Sequence, residues 1–301
     1  MSAVTAETLA PPATRAPILR PRLWWLAAPA LLAFLLFFLL PVVSLLAISF
    51  DKSTAGVVTF QGRLTFDNYI RLFSRDIYTM AIWRSVWIGG IVSGICLVLG
   101  YPLAFIIART LRPATATLLT LLVLVSMQLD MVIRLYGLMV LMGDNGIING
   151  ALLRAGIIAA PLPLMYNVFG VVVGLVQITL PFMILSLISA IKAINPSLEE
   201  AARSLGATRW QAMARVTLPL SLPGIYAGTL LVFALAISSY VVPALMGGWK
   251  VVTLPIHIYQ QIAEVGRWQF GAAIATILFV TALLALAVYV VALKRQAGGR
   301  V

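Results

Sequence analysis

Six apolar stretches, each long enough to cross a bilayer, constrain this chain more than any other feature. A spanning helix needs about 20 mainly apolar residues, because the hydrocarbon core is roughly 30 Å thick and a helix rises 1.5 Å per residue. Stretches of that kind run near Trp24–Phe50, Ala81–Ala108, Ala114–Met142, Leu164–Ile191, Pro223–Met246 and Gly271–Leu293. With 62% hydrophobic and only 10% charged residues, the chain falls far below the roughly 25% charge of a soluble domain. The expected fold is therefore an all-α membrane protein with six transmembrane helices. A transmembrane domain over 24–295 follows a tail at 1–23 and precedes a short tail at 296–301. The first stretch is too long for the apolar region of a cleavable signal, so it is expected to stay as a membrane helix. The tail before it holds four prolines and small polar residues and reads as a loose segment.

Twenty-one Lys and Arg stand against nine Asp and Glu, a net charge of +12. Nucleic-acid binding would need these cations clustered; they are scattered as flanks of the apolar stretches, so no nucleic-acid partner is expected. Placing the N-terminus in the cytoplasm puts twelve basic residues inside and eight outside. That bias favours both termini in the cytoplasm. Cys96 is the only cysteine and forms no internal disulfide.

On the outer side, residues 51–80 contain Phe66, Asp67, Tyr69, Leu72 and Phe73, an amphipathic set that predicts a short interfacial helix. Gly143-Asp144-Asn145-Gly146 predicts a turn. Trp249 and Trp268 fit interface anchors. Gly90 and Gly94 fit a small-residue contact between helices. His257 has no Cys, Asp or Glu at ligand spacing, so no metal site is expected there.

The connection after the fourth stretch, residues 195–219, carries the most local information. Ser197 followed by Glu200 predicts a capping box. Leu198, Ala201, Ala202 and Leu205 fall on one face of a helix, and Glu199 and Arg203 are spaced to pair weakly on the other. Gly206 supplies the positive φ that ends this helix. A second amphipathic turn begins near Thr208, with Trp210, Met213 and Val216 along one side, and Pro219 ends it. The pattern is a capped, glycine-hinged helix pair. It serves either as a plain linker packed on its own domain or as a docking element for a partner.

A resemblance bears on that choice. In this connection Glu200-Ala201-Ala202, three residues, Gly206, nine residues, Val216, one residue, then Leu218-Pro219 is similar to the signature of inner-membrane permeases of binding-protein-dependent ABC importers. The only change is Val216 for the usual isoleucine. The resemblance implies the type I importer permease fold. It also implies that the connection between spans four and five is a cytoplasmic coupling helix docking on an ATPase subunit. Within the family the chain looks most like the first permease of spermidine/putrescine-type importers. The likeness runs over most of 24–295 and includes Tyr101-Pro102-Leu103-Ala104, Ile133-Arg134-Leu135-Tyr136 and Met139 through Asn149. The chain departs where those permeases carry Pro-Phe-Trp-Thr-Ser: it has Ser126-Met127-Gln128-Leu129-Asp130 instead.

That departure holds charge inside an apolar stretch. Asp130 and Arg134 sit four apart in the expected third span, where a charge costs on the order of 2.5–3.5 kcal/mol and faces the bundle interior or water. Either they neutralise each other as an internal ion pair, or Asp130, with Gln128, Arg134 and Tyr136, lines the translocation path and suits a cationic substrate.

No Gly-x-x-x-x-Gly-Lys-Ser/Thr occurs, so the chain has no phosphate-cradling loop of its own. It is expected to be non-catalytic and to bind no cofactor, with ATP and Mg held by partners. The resemblance implies two ATPase subunits, a second similar permease and a periplasmic binding protein as those partners, in a bacterial inner membrane. The substrate is expected to be a polyamine or a related amine or opine-like compound. An ion-gradient-driven secondary transporter is the alternative; it wants paired polar sites at mid-membrane and often two related halves, and no internal repeat is evident.

Overall fold

The computed structural model describes residues 24–53, 56 and 62–298. The tail expected at 1–23 lies outside the described residues. The chain divides into two compact units, Met1–Leu45 and Leu46–Val301. In the first, α1 (Trp24–Phe34) runs through a π-turn, Leu35–Leu39, into α2 (Leu40–Ser49), whose last residues belong to the second unit. The π-turn closes with Leu40 N–H donating to Leu35 O. Its position just before Pro41 has a physical reason. A widened turn gives room to a ring that cannot donate and would otherwise clash with the preceding turn.

The second unit holds the remaining helices: α3 (Asp67–Phe73), α4 (Asp76–Arg109), α5 (Pro113–Gln128), α6 (Met131–Met142), α7 (Ile147–Arg154), α8 (Val168–Lys192), α9 (Ser197–Ser204), α10 (Arg209–Ala212), α11 (Leu218–Ser238), α12 (Val241–Gly247), α13 (Leu254–Tyr259) and α14 (Trp268–Gly298). Its core is the trio α4, α8 and α11. Val92 and Cys96 of α4, Leu175, Met183 and Leu187 of α8, and Val232 of α11 are all fully buried there or nearly so. A smaller cluster at one end joins Leu72, Tyr78, Ala81, Leu254, Phe270 and Ile274.

Six helical stretches among the described residues are long and apolar enough to cross a membrane: Ala28–Ser49, Asp76–Arg109, Met131–Arg154, Val168–Lys192, Arg209–Ser238 and Trp268–Val288. The third differs from expectation. The apolar run from Ala114 to Met142 is two helices, because Leu129 turns extended (φ −72°, ψ 135°) and Asp130 starts a new helix. The fifth likewise stops at Ser238 and restarts at Val241.

The short helix expected near 66–73 is present as α3, tied down by Asn68, whose Nδ2 donates to Ser49 O at 2.9 Å and Asp51 O at 2.8 Å. The turn at 143–146 is also present, with Gly146 N–H donating to Gly143 O. The expected Gly90/Gly94 contact is not made. A Cβ at either position would meet open space, whereas one at Gly89 would meet Ile237 of α11 at 2.6 Å. The close-packing face of α4 is one residue out of register with the expectation, on Gly89 and Ser93.

Candidate functional site

The connection from α8 to α11 folds as the two short helices its sequence specifies, with different caps. Ser197 is the first helical residue rather than the cap, so its hydroxyl makes no capping box. Asn195 takes that role two residues earlier: its Oδ1 accepts from Ser197 N at 3.1 Å. The Asn195-Pro196 pair sets this start, since the Pro196 carbonyl already receives Glu199 N and Glu200 N. At the other end Gly206 has φ +91°. Ala207 N–H donates to Ala202 O and Gly206 N–H to Arg203 O, the paired bonds of a Schellman stop. A capping box does occur at the second helix. Gln211 N donates to Thr208 Oγ1 at 3.3 Å and Thr208 N to Gln211 Oε1 at 2.9 Å. Pro219 does not end that helix. A π-turn at Met213–Thr217, closed by Leu218 N–H to Met213 O, carries the helix past the proline into α11, as at Pro41.

The polar face of α9 is organised by a side chain far away in sequence. Glu199 does not pair with Arg203. Its Oε1 accepts from Arg109 Nε at 2.7 Å and from Thr217 Oγ1 at 2.7 Å, while Arg109 Nη2 donates to Ile194 O at 3.1 Å. One carboxylate thus ties together the end of α4, the start of α9 and the start of α11. The pair retains only 14% and 17% side-chain exposure, so solvent screens it weakly and its hydrogen bonds are charge-assisted.

The other face of the connection is open. Leu198 is 47% exposed, Leu205 90% and Trp210 73%; Ala201 is exposed and Ala202 half-buried. A linker packed on its own domain would bury these groups. Of the second helix, Met213 packs against the core and Val216 is half-buried, while Leu218 is exposed and Pro219 half-buried.

The residues singled out in the third span are arranged differently from either expectation of a pair. Asp130 stands outside α6 as its N-cap, accepting from Val132 N at 2.8 Å and Ile133 N at 3.2 Å. Arg134 Nη1 donates to Ser126 O at 2.9 Å, satisfying a carbonyl freed where α5 ends. The two side chains therefore serve opposite sides of one helix break and do not bond to each other. Gln128, Asp130 and Tyr136 are exposed and Arg134 half-buried. Arg109 and Thr217 were not among the residues the sequence singled out. A basic residue in the last turn of a long helix was the one available signal, and it named no partner.

The chain is similar to known proteins over most of its length. The family model described as "Binding-protein-dependent transport system inner membrane component" matches residues 16–296. The spermidine/putrescine transport system permease protein PotB of Haemophilus influenzae is 39% identical over 259 residues, covering 86% of this chain and 89% of that one. PotB of Escherichia coli K12 is 37% identical over 255 residues, covering 84% and 91%. Among solved structures, a bacterial ABC transporter that imports the acidic polysaccharide alginate aligns with TM-score 0.68 and 21% identity over 92% of this chain and 96% of that one. The MetNI methionine ABC transporter aligns with TM-score 0.57 and 17% identity over 72% and 95%. The structures share the fold.

Proposed function

The chain belongs to the family of binding-protein-dependent transport system inner membrane components, and from that premise we propose that it forms half of the translocation path of an ATP-driven importer for a polyamine or related organic amine. It is an inner-membrane permease subunit and does no ATP chemistry. The substrate class rests on two relatives above 35% identity that are named for spermidine and putrescine transport. The partners in this reading are two ATPase subunits, a second similar permease and a periplasmic binding protein, with both termini of this chain in the cytoplasm. Ser126 through Asp130, with Arg134 and Tyr136, line the path at the break between α5 and α6. The exposed Asp130 carboxylate there suits a cation.

The observation that carries the coupling role is the pairing of two properties in the α9–α10 connection. Its apolar edge, Leu198, Leu205 and Trp210, is exposed, while its base is clamped to two long helices through Glu199. An element that transmits force needs both a surface to be pushed and a stiff link to what must move. In this reading Glu200, Ala201, Ala202 and Gly206, with Val216, Leu218 and Pro219 behind them, form the coupling element. ATP draws the ATPases together, the docked connections follow, and the membrane helices reorient between inward and outward access.

The test is Gly206→Val in the reconstituted complex. A β-branched residue at φ +91° is strained, although nothing crowds the site. Substrate-stimulated ATP hydrolysis and uptake should collapse together while the subunits still co-purify. Undisturbed uptake would make the connection a linker and sink the coupling role.

A further inference from the structure

The end of the molecule opposite the α9–α10 connection carries a group of side chains that the proposed function leaves unused. The 21 residues of α11 lift the chain about 31 Å at 1.5 Å per residue, from Leu218 at the connection to Ser238. Ser239 is extended (φ −69°, ψ 124°) and breaks the helix, and Tyr240 follows it. The Tyr240 ring stacks on that of Tyr259 at the end of α13, with centroids 4.8 Å apart and planes 30° from parallel. Tyr259 is 43% exposed and Tyr240 half-buried, so the stacked pair keeps an open side. Past Tyr259 the helix widens into a π-turn, Gln260–Glu264, closed by Val265 N–H to Gln260 O. In a regular α-helix the fifth residue on stands about 140° round from the first. In the wider turn each residue advances less round the axis, so Glu264 stands nearer the Tyr259 side of the helix than a regular turn would put it. Burial first, then Tyr259 and then the Glu264 carboxylate raise the Tyr240 phenol above its ordinary value. Glu264 is exposed and makes no ion pair among the described residues. Isolated π-turns concentrate at functional sites.

We propose that Tyr240, Tyr259 and Glu264 form a subsite for one ammonium group of the substrate, at the end of the membrane domain remote from the ATPases. Two stacked phenol rings present a negative face to a cation within about 6 Å, and the free carboxylate supplies the countercharge and hydrogen-bond acceptors. Because this subsite follows a helix break and a widened turn, small changes in either segment alter its geometry. The inference rests on the amine-importer reading.

The test uses the full importer in proteoliposomes, with its ATPase and binding protein, and radiolabelled putrescine as probe. Glu264→Gln should lower uptake at sub-saturating putrescine about tenfold, the loss of one charge-assisted contact. Tyr259→Leu should lower it about threefold, and Tyr259→Phe should recover most of that. Co-purification of the ATPase at the wild-type ratio checks folding in each variant. If wild type transports putrescine and Glu264→Gln and Tyr259→Leu transport it equally well, the subsite is overturned and the amine reading stands. If wild type moves no amine, the amine reading and the subsite fall together, and the coupling role is left to the Gly206 experiment.

Discussion

The connection from α8 to α11 and the connection from α11 to α14 join the same kind of helix at opposite ends, yet different forces hold them. The first is held by charge and caps: Arg109–Glu199, Thr217–Glu199, an Asn195 turn, a Schellman stop and a capping box. Leu198, Leu205 and Trp210 point away from the domain, while Met213 packs against the core. The second is held mainly by apolar packing, with Leu254 N–H donating to Ser85 Oγ at 2.9 Å and Arg84 Nη1 to Val252 O at 3.3 Å. Leu254, Ile256 and Phe270 are fully buried, and Tyr78 meets Phe270 edge-on at 5.1 Å. Its polar atoms are less well served: Thr253 Oγ1 and Gln261 Oε1 are buried without a hydrogen-bond partner among the described residues. Directional bonds fix one geometry and transmit displacement. Packing around under-satisfied polar groups leaves alternatives close in energy. On the proposed coupling role the first connection is a stiff drive end; the second, which carries the proposed subsite, is termed the gate end.

The sharpest way to break this comparison is charge reversal at the drive end. Arg109→Glu sets two carboxylates against each other in a site with little solvent, and losing a mostly buried pair costs about 3–5 kcal/mol. Uptake per ATP hydrolysed should fall by more than tenfold, and the double reversal with Glu199→Arg should restore part of it. Full coupling in the single variant would mean that packing holds the drive end too.

Next in size is a packing test on α4. Gly89→Ala drives a methyl against Ile237 and Phe233 of α11 and should cost about 1–3 kcal/mol by overpacking. It should read as a lower melting temperature in detergent. Gly90→Ala, one residue on and facing open space, should be neutral or slightly stabilising. Equal effects at the two positions would contradict the α4–α11 register.

His257, at the gate end, gives a pH signature. Burial pushes its pKa below 6.5; the bond to Gln260 and the Ile77 backbone oppose this, and the nearby Arg84 charge adds to it. The Tyr78 ring packs on it at 4.9 Å. The folded state therefore holds a neutral imidazole more readily than the unfolded chain does. That stability is present above pH 6.5 and lost as pH falls through the lower folded pKa. The slope is at most about 1.4 kcal/mol per pH unit, one proton's worth. Thermal melts from pH 7.5 to 5 should show it, and His257→Gln should flatten it.

What the sequence disclosed divides along the same line. Local rules read part of the drive end: Gly206 ends its helix with positive φ and periodicity puts both short helices in place, but Asn195 rather than Ser197 caps the first and Pro219 does not end the second. Local rules also misassigned Glu199, because spacing offers Arg203 four residues away while the real partner, Arg109, is ninety residues distant. That there are six apolar crossings was legible from length and hydropathy, but the bounds of the third and fifth, set by helix breaks, were not. The third run stays apolar through Leu129, so hydropathy does not fall where the helix stops. The one local signal is Asp130 itself, an N-cap residue opening a new apolar run, and a charge in an apolar run points equally to an ion pair or a path residue. Gly89 and Gly90 differ only in which neighbour each faces, which a single helix cannot disclose. Likewise nothing local brings Tyr240 to Tyr259 and Glu264; a helix break and a π-turn do.

Asp130 offers the smallest effect and the finest discrimination. As the N-cap of α6 it accepts two backbone N–H groups, and Asp130→Ala should cost about 1 kcal/mol. Asparagine caps about as well as aspartate, so Asp130→Asn should leave stability within a few tenths of a kcal/mol while removing the charge. The two substitutions separate the backbone role from the path role. If amine uptake in Asp130→Asn matches wild type, Asp130 only builds the break. If uptake falls several-fold with the melting temperature unchanged, the carboxylate meets the cation on its way through. The adaptable half of the comparison then extends from the gate end to the break between α5 and α6.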